Sequence, residues 1–116
     1  SHYIRFPGGS SNTVSADYTK NIMTELSKDV LDRGYQYYDW NVSSEDATGN
    51  NISTSRIIEA ATRADEGNVI ILFHDASNKD TTVEALPKII EHYKRLGFRF
   101  SAITDESYTC HHGINN

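Results

Sequence analysis

The sequence predicts an α/β fold of about four parallel strands alternating with three helices. Three observations predict it. Strand-like and helix-like hydrophobic patterns alternate along the chain, and such alternation implies a parallel sheet with right-handed crossovers. Val69-Ile70-Ile71-Leu72-Phe73 is a continuous apolar run, typical of a strand buried on both faces of such a sheet. Glycines stand at the ends of the helical patterns, at Gly34, Gly67 and Gly97, where a chain leaving a helix often adopts a positive φ.

The elements follow in order. Tyr3–Phe6 reads as a short strand, and Pro7-Gly8-Gly9 breaks regular structure after it. From Tyr18 to Asp32, Ile22, Met23, Leu26, Val30 and Leu31 recur at helix spacing. Tyr35–Val42 is an aromatic-rich strand, and Ser43–Asn51 a polar loop. Ser53 or Thr54 caps a helix running through Ile57, Ile58, Ala61 and Ala64 to Gly67. After the apolar strand, Thr81 and Glu84 form a capping box for a helix that reaches Gly97, with Pro87 near its first turns. Phe98–Ile103 is the final strand. Residues 106–116 carry no pattern, and a loose end is expected there; residues 1–105 form the patterned domain.

Composition narrows the function. The chain has 116 residues and 37% apolar content, which suits one small globular domain. The net charge of −5 excludes the clustered basic surface that nucleic acid requires. One cysteine, Cys110, excludes an internal disulfide. No apolar run approaches the ~20 residues of a membrane span, and there is no signal peptide. Ser1–Pro7 reads like the middle of a domain, so location is not inferred from that absence. Seven tyrosines and Trp40 serve either core filling or stacking on sugars.

In α/β folds, reactive groups gather beyond the C-terminal ends of strands. Here those ends lead into Arg5, into Asp39-Trp40 with Asp46 in the loop beyond, and into His74-Asp75. Parallel strands would put Arg5, Asp46 and His74 on one rim. A histidine there is suited to acid–base work near neutral pH, and a carboxylate can orient it and support its charged form. Cys110-His111-His112 offers potential metal ligands, but adjacent histidines in a tail seldom build a closed site. His92, between charged neighbours in a helix, reads as exposed.

Three motifs give this rim a family. Arg5-Phe6-Pro7-Gly8-Gly9-Ser10-Ser11-Asn12 resembles the arginine-proline motif of the polysaccharide deacetylases, the family 4 carbohydrate esterases. Asp39-Trp40-Asn41-Val42-Ser43-Ser44-Glu45-Asp46 resembles their tryptophan-and-aspartate motif, and Leu72-Phe73-His74-Asp75 their leucine-x-histidine motif. The order matches the family, and the likeness extends to about Asp105. It is strongest to bacterial peptidoglycan N-acetylglucosamine deacetylases.

The resemblance implies the C-terminal half of a distorted (β/α) barrel that hydrolyses N-acetyl groups of cell-wall glycans. It makes His74 the general acid, Asp46 the carboxylate orienting it, and Arg5 the group steering a catalytic aspartate. It places the Gly8 backbone N–H at the oxyanion, and Trp40 and Leu72 along the sugar groove. Asp39 competes with Asp46 for the orienting role; spacing from Trp40 favours Asp46. Ala47 and Gly8 replace aromatics found in many members. The family's aspartate pair and its metal-binding histidine pair lie upstream of the arginine motif, and this sequence has neither. The complete enzyme is expected to use a divalent metal, zinc above all, with none bound by this chain alone. The isolated chain is therefore expected to be inactive, and to associate with a missing N-terminal half or with itself, as in a domain-swapped dimer. The implied partner is an N-acetylated glycan, and the implied setting is the exterior or cell envelope of a bacterium. The alternatives are a glycan-binding α/β module without catalysis and a small regulatory α/β domain unrelated to sugars.

Overall fold

The computed structural model describes residues 1–116, which fall into two compact units. One comprises Ser1–Trp40 with Thr109–Asn116, the other Asn41–Tyr108.

In the first unit, β1 (Tyr3–Ile4) pairs in parallel with β2 (Gln36–Tyr37), Tyr3 opposite Gln36 and Ile4 opposite Tyr37. A 3-10 turn over Val14–Asp17 precedes α1 (Ile22–Asp32). Gly34 ends α1 with φ +84°: its N–H reaches the Leu31 carbonyl, and the next N–H, of Tyr35, reaches Val30. That pair of bonds is the Schellman motif, and it bears out Gly34 as the helix stop. Tyr37 and Tyr38 are buried, so at least these two aromatics fill the core.

The looseness expected of the chain's end gives way to a series of polar ties. Asn116 accepts from the Thr24 N–H through its main chain (3.1 Å) and from the Asn21 N–H through its side chain (2.8 Å), satisfying donors at the start of α1. The His111 ring stacks on Tyr37 with centroids 3.8 Å apart. Long-range contacts of this kind have no hydrophobic period, so pattern reading passes over them.

In the second unit, β3 (Val42–Ser43) pairs in parallel with β4 (Ile71–Leu72). α2 (Thr54–Ala61) and α3 (Asp80–Arg95) pack through Ile57, Ala61, Ala85, Ile89 and Tyr93. The alanines let the two backbones approach, and the buried Tyr93 hydroxyl donates to the Ala61 carbonyl at 2.5 Å. Ser53 caps α2 as expected, its hydroxyl accepting from the Arg56 N–H.

Several expectations are corrected. The strand read over Tyr35–Val42 is two: β2 and β3 lie in different units with different partners, and the sheets are two-stranded. Val69–Phe73 is only half-buried, and Asn41 takes over part of its pairing by accepting from the Ile70 N–H and donating to the Asn68 carbonyl. Phe98–Ile103 forms no strand; Phe98 leans on the core, while Phe100 and Ile103 are exposed. α2 stops at Ala61 rather than near Gly67, with the Thr62 hydroxyl bonded back to Ile58. α3 begins at Asp80, so Thr81 is not its cap, and Glu84 instead accepts from the Thr54 hydroxyl. Pro87 is the eighth residue of α3, on an exposed face where water can serve the carbonyl its ring leaves without a donor. His92 is half-buried against Tyr93, its Nε2 enclosed and unpartnered.

Candidate active site

The loop after β3 and the end of β4 bring Asp46 to His74. Ser44 and Asp46 alternate with Val42 on the buried side, and the Asp46 carboxylate is 1% exposed. Its Oδ1 lies 2.8 Å from His74 Nδ1. Its Oδ2 accepts from the His74 backbone N–H and from the Thr82 hydroxyl, each at 2.8 Å. Lys79 Nζ donates to the Asp46 carbonyl at 2.9 Å. Burial alone would raise the carboxyl's pKa. The bonds from the His74 N–H and ring, Thr82 and Ser44 outweigh burial and hold it below the usual carboxylate range.

An ionised carboxylate only accepts, so His74 presents Nδ1–H to Asp46. The tautomer leaves Nε2 without a protein partner on a ring that is 41% exposed. A fixed imidazole with one free nitrogen can hold and deliver a proton at that nitrogen. Glu45, next to Asp46, has φ +59° and is paired with Arg63 at 3.3 Å. A left-handed non-glycine residue is sparse in proteins, and here it sets the turn that aims Asp46 inward.

Thr82 escaped the sequence reading, although a signal exists. It stands three, seven and eleven residues before Ala85, Ile89 and Tyr93, which puts a hydroxyl on the buried face of α3. A polar group in that position requires a partner, and Asp46 is the partner.

The remaining expected residues lie in the first unit, apart from Leu72, which sits half-buried in β4 and accepts from the Ser44 N–H at 3.2 Å. Pro7 and Gly8 form the corner of a turn closed by the Gly9 N–H on the Phe6 carbonyl at 2.8 Å, with Gly8 at φ +72°. Proline then glycine at these positions is the type II pattern. Arg5 and Gly8 are exposed and Trp40 half-buried. Asp39 is 2% exposed and engaged within its own unit: the Ser10 N–H meets Oδ1 at 2.8 Å, and the Ser10 hydroxyl and the His112 N–H meet Oδ2. Burial raises its carboxyl, and these bonds from Ser10 and His112 bring it below the ordinary value. Asp46, not Asp39, makes the hydrogen bonds to His74.

No family model matches the chain, and no curated protein does. Two solved structures do. One is the catalytic domain of a peptidoglycan N-acetylglucosamine deacetylase from Eubacterium rectale, 42% identical, with a TM-score of 0.91 over 98% of this chain and 52% of that one. The chain resembles part of a polysaccharide deacetylase catalytic domain. The other is a family 4 carbohydrate esterase from Streptomyces lividans, in complex with acetate, 26% identical with a TM-score of 0.61 over 83% of this chain and 42% of that one. The chain thus spans about half the length of the deacetylase and esterase structures it matches.

The deacetylase likeness implies a divalent metal. No group of three or more His, Cys, Asp or Glu side chains is placed to hold an ion. In the Cys110-His111-His112 run, His111 Nε2 bonds Tyr37 and Gln36, while His112 Nε2 bonds the Trp40 carbonyl. The side chains of this chain do not fit such a metal by themselves.

Proposed function

We propose that this chain is the C-terminal half of a polysaccharide deacetylase domain that removes acetyl groups from N-acetylglucosamine residues of bacterial cell-wall glycans. The observation that carries the proposal is the His74–Asp46 pair: a histidine fixed through Nδ1 and its own N–H, with Nε2 free, in a chain 42% identical to such a deacetylase. In this reading, His74 Nε2–H gives its proton to the amine as the acetamide C–N bond breaks. Asp46 holds the ring and stabilises its charged form. Arg5 steers the aspartate that activates water, the Gly8 N–H supports the oxyanion, and Trp40 and Leu72 line the sugar groove. The activating aspartate and the ligands of a divalent metal, zinc in the family's pattern, come from outside Ser1–Asn116. The same missing half, arranged with this one as a distorted barrel, would pair with Phe98–Ile103 and cover Phe100 and Ile103. Without it, exposed apolar groups and short open strands favour self-association, including element swapping. No helix is long and apolar enough to cross a membrane, and the proposed setting is the cell envelope.

Acetate release from N-acetylglucosamine oligomers tests the reading. The isolated chain, with zinc or cobalt added, should release none. A longer protein containing it should release acetate and lose about 10²–10⁴-fold in rate on His74→Ala, the usual contribution of general acid catalysis. Full activity of that variant would refute the role of His74. Release by the isolated chain, abolished by His74→Ala, would show that the chain builds its own metal site. Glycan binding without release by the longer protein would favour a non-catalytic module.

A further inference from the structure

Trp40 is held from two sides, by Gly9 of the arginine-proline motif and by His112, which none of the three motifs includes. Gly9 lies against its ring so closely that a Cβ there would stand 2.9 Å from Trp40 Cη2 and 3.2 Å from Asp39 Oδ1. The His112 imidazole crosses the indole nearly at right angles, with centroids 4.7 Å apart, and its Nε2 donates to the Trp40 carbonyl at 2.6 Å. That donation fixes the tautomer, leaving Nδ1 to accept from the Ser11 hydroxyl at 3.2 Å. Asp39 joins the two sides: it accepts from the Ser10 N–H and hydroxyl, next to Gly9, and from the His112 N–H. The segment bearing His112 is anchored further on by Asn116 at the start of α1.

We propose that Asp39 and His112 are positioning residues that clamp the Trp40 indole in the plane in which it receives a sugar ring. The inference rests on the glycan reading above and adds that the C-terminal segment Thr109–Asn116 is a working part of the sugar site. An aromatic side chain stacks well only in a fixed plane, and a free indole would lose rotamer entropy on each binding event. Here the clamp has removed that freedom beforehand. Asp39 itself is too buried to meet a sugar. Its effect runs through Gly9 and His112.

Trp40 is the chain's one tryptophan, so its fluorescence reports the clamp alone. The 116-residue chain would be compared with Asp39→Asn, His112→Ala and His112→Gln, with far-UV circular dichroism to establish folding. His112→Ala should shift the emission to longer wavelength, raise acrylamide quenching, and weaken binding of the N-acetylglucosamine tetramer about tenfold, as for loss of one hydrogen bond and a packed ring. His112→Gln, whose amide N–H reaches the same carbonyl, should recover part of each change. Should Asp39→Asn fail to fold, the His112 pair decides alone. Unchanged emission in folded His112→Ala overturns the inference, and so does shifted emission with unchanged tetramer affinity. An emission shift in the variants, with no tetramer binding by a longer protein containing the unaltered chain, overturns the glycan reading and leaves the clamp standing.

Discussion

Asp46→Ala removes the acceptor for three donors at once. Thr82 is 4% exposed, so its hydroxyl would be stranded away from water, and the part-buried His74 backbone N–H would lose its acceptor. Each stranded donor costs about 1–3 kcal/mol. The His74 ring is 41% exposed, so its Nδ1–H finds water and adds little. With the part-buried His74 N–H held to about 1–2 kcal/mol, the sum is about 2–5 kcal/mol. A chain of this length has about 6–17 kcal/mol in all, at roughly 0.05–0.15 per residue, so the variant should stay folded but visibly weakened. Urea unfolding followed by circular dichroism is the assay. With an m-value of about 2 kcal/mol/M, the midpoint should fall by about 1–2.5 M. Thr82→Val strands no donor, because the hydroxyl itself is gone, and should cost about 1 kcal/mol. A midpoint drop below about 0.5 M for Asp46→Ala would refute the view that this carboxylate organises the loop after β3, β4 and the first turn of α3.

Three further outcomes are expected. Gly9→Ala should cost at least about 2 kcal/mol, combining a left-handed φ of +81° with a close approach to Trp40, whereas Gly34→Ala, at φ +84° with nothing within 4 Å, should cost about 1; equal losses in urea melts would refute the packing against Trp40. Asp39 and Asp46 are both held below the ordinary carboxylate value, so the unfolded chain binds more protons in acid; their contribution should be complete above about pH 4 and vanish as the pH falls through the folded values, and Asp→Asn at either position should flatten that slope. Tyr93→Phe should cost about 1 kcal/mol by leaving the Ala61 carbonyl without its donor, and an unchanged thermal midpoint would refute that bond's importance.

How much was legible in the sequence depended on whether a feature had a period. The three helices were legible because apolar residues repeat at helical spacing, and in each the repeat includes buried residues: Met23 in the first, Ile57 and Ala61 in the second, Ile89 and Tyr93 in the third. Helix ends were legible where one residue type is required, as at Gly34, and illegible where a nearby polar group decides, as at Thr62 and Asp80. Strands were overestimated in length. β propensity marks Val69–Phe73 and Phe98–Ile103 as able to pair, but pairing needs a second chain segment, and only Ile71 and Leu72 of these two runs find one. Asp46 and His74 were legible as a pair because both follow strand ends. Arg5 belongs to the other unit. Thr82 was not picked out, and Ser10 and His112 were not matched with Asp39, since one polar residue far along the chain announces its partner by no spacing.

The two buried aspartates show why one histidine, and not the other, fits proton transfer. Both carboxylates are enclosed, both accept hydrogen bonds from a backbone N–H and a hydroxyl, and both lie below their ordinary pKa. They differ in which part of a histidine they hold. Asp46 takes the ring of His74 through Nδ1, so the imidazole is aimed and Nε2 left free at a 41% exposed position. Asp39 takes the main-chain N–H of His112, while that ring spends Nε2 on the Trp40 carbonyl and Nδ1 on the Ser11 hydroxyl. A ring with both nitrogens engaged has no site from which to deliver a proton, but it gains rigidity from every bond it makes. In the proposed reading, the same pair of residue types serves as a proton carrier in one unit and as a clamp in the other. The distinction rests on hydrogen-bond geometry, because an aspartate and a histidine are present in both sequences.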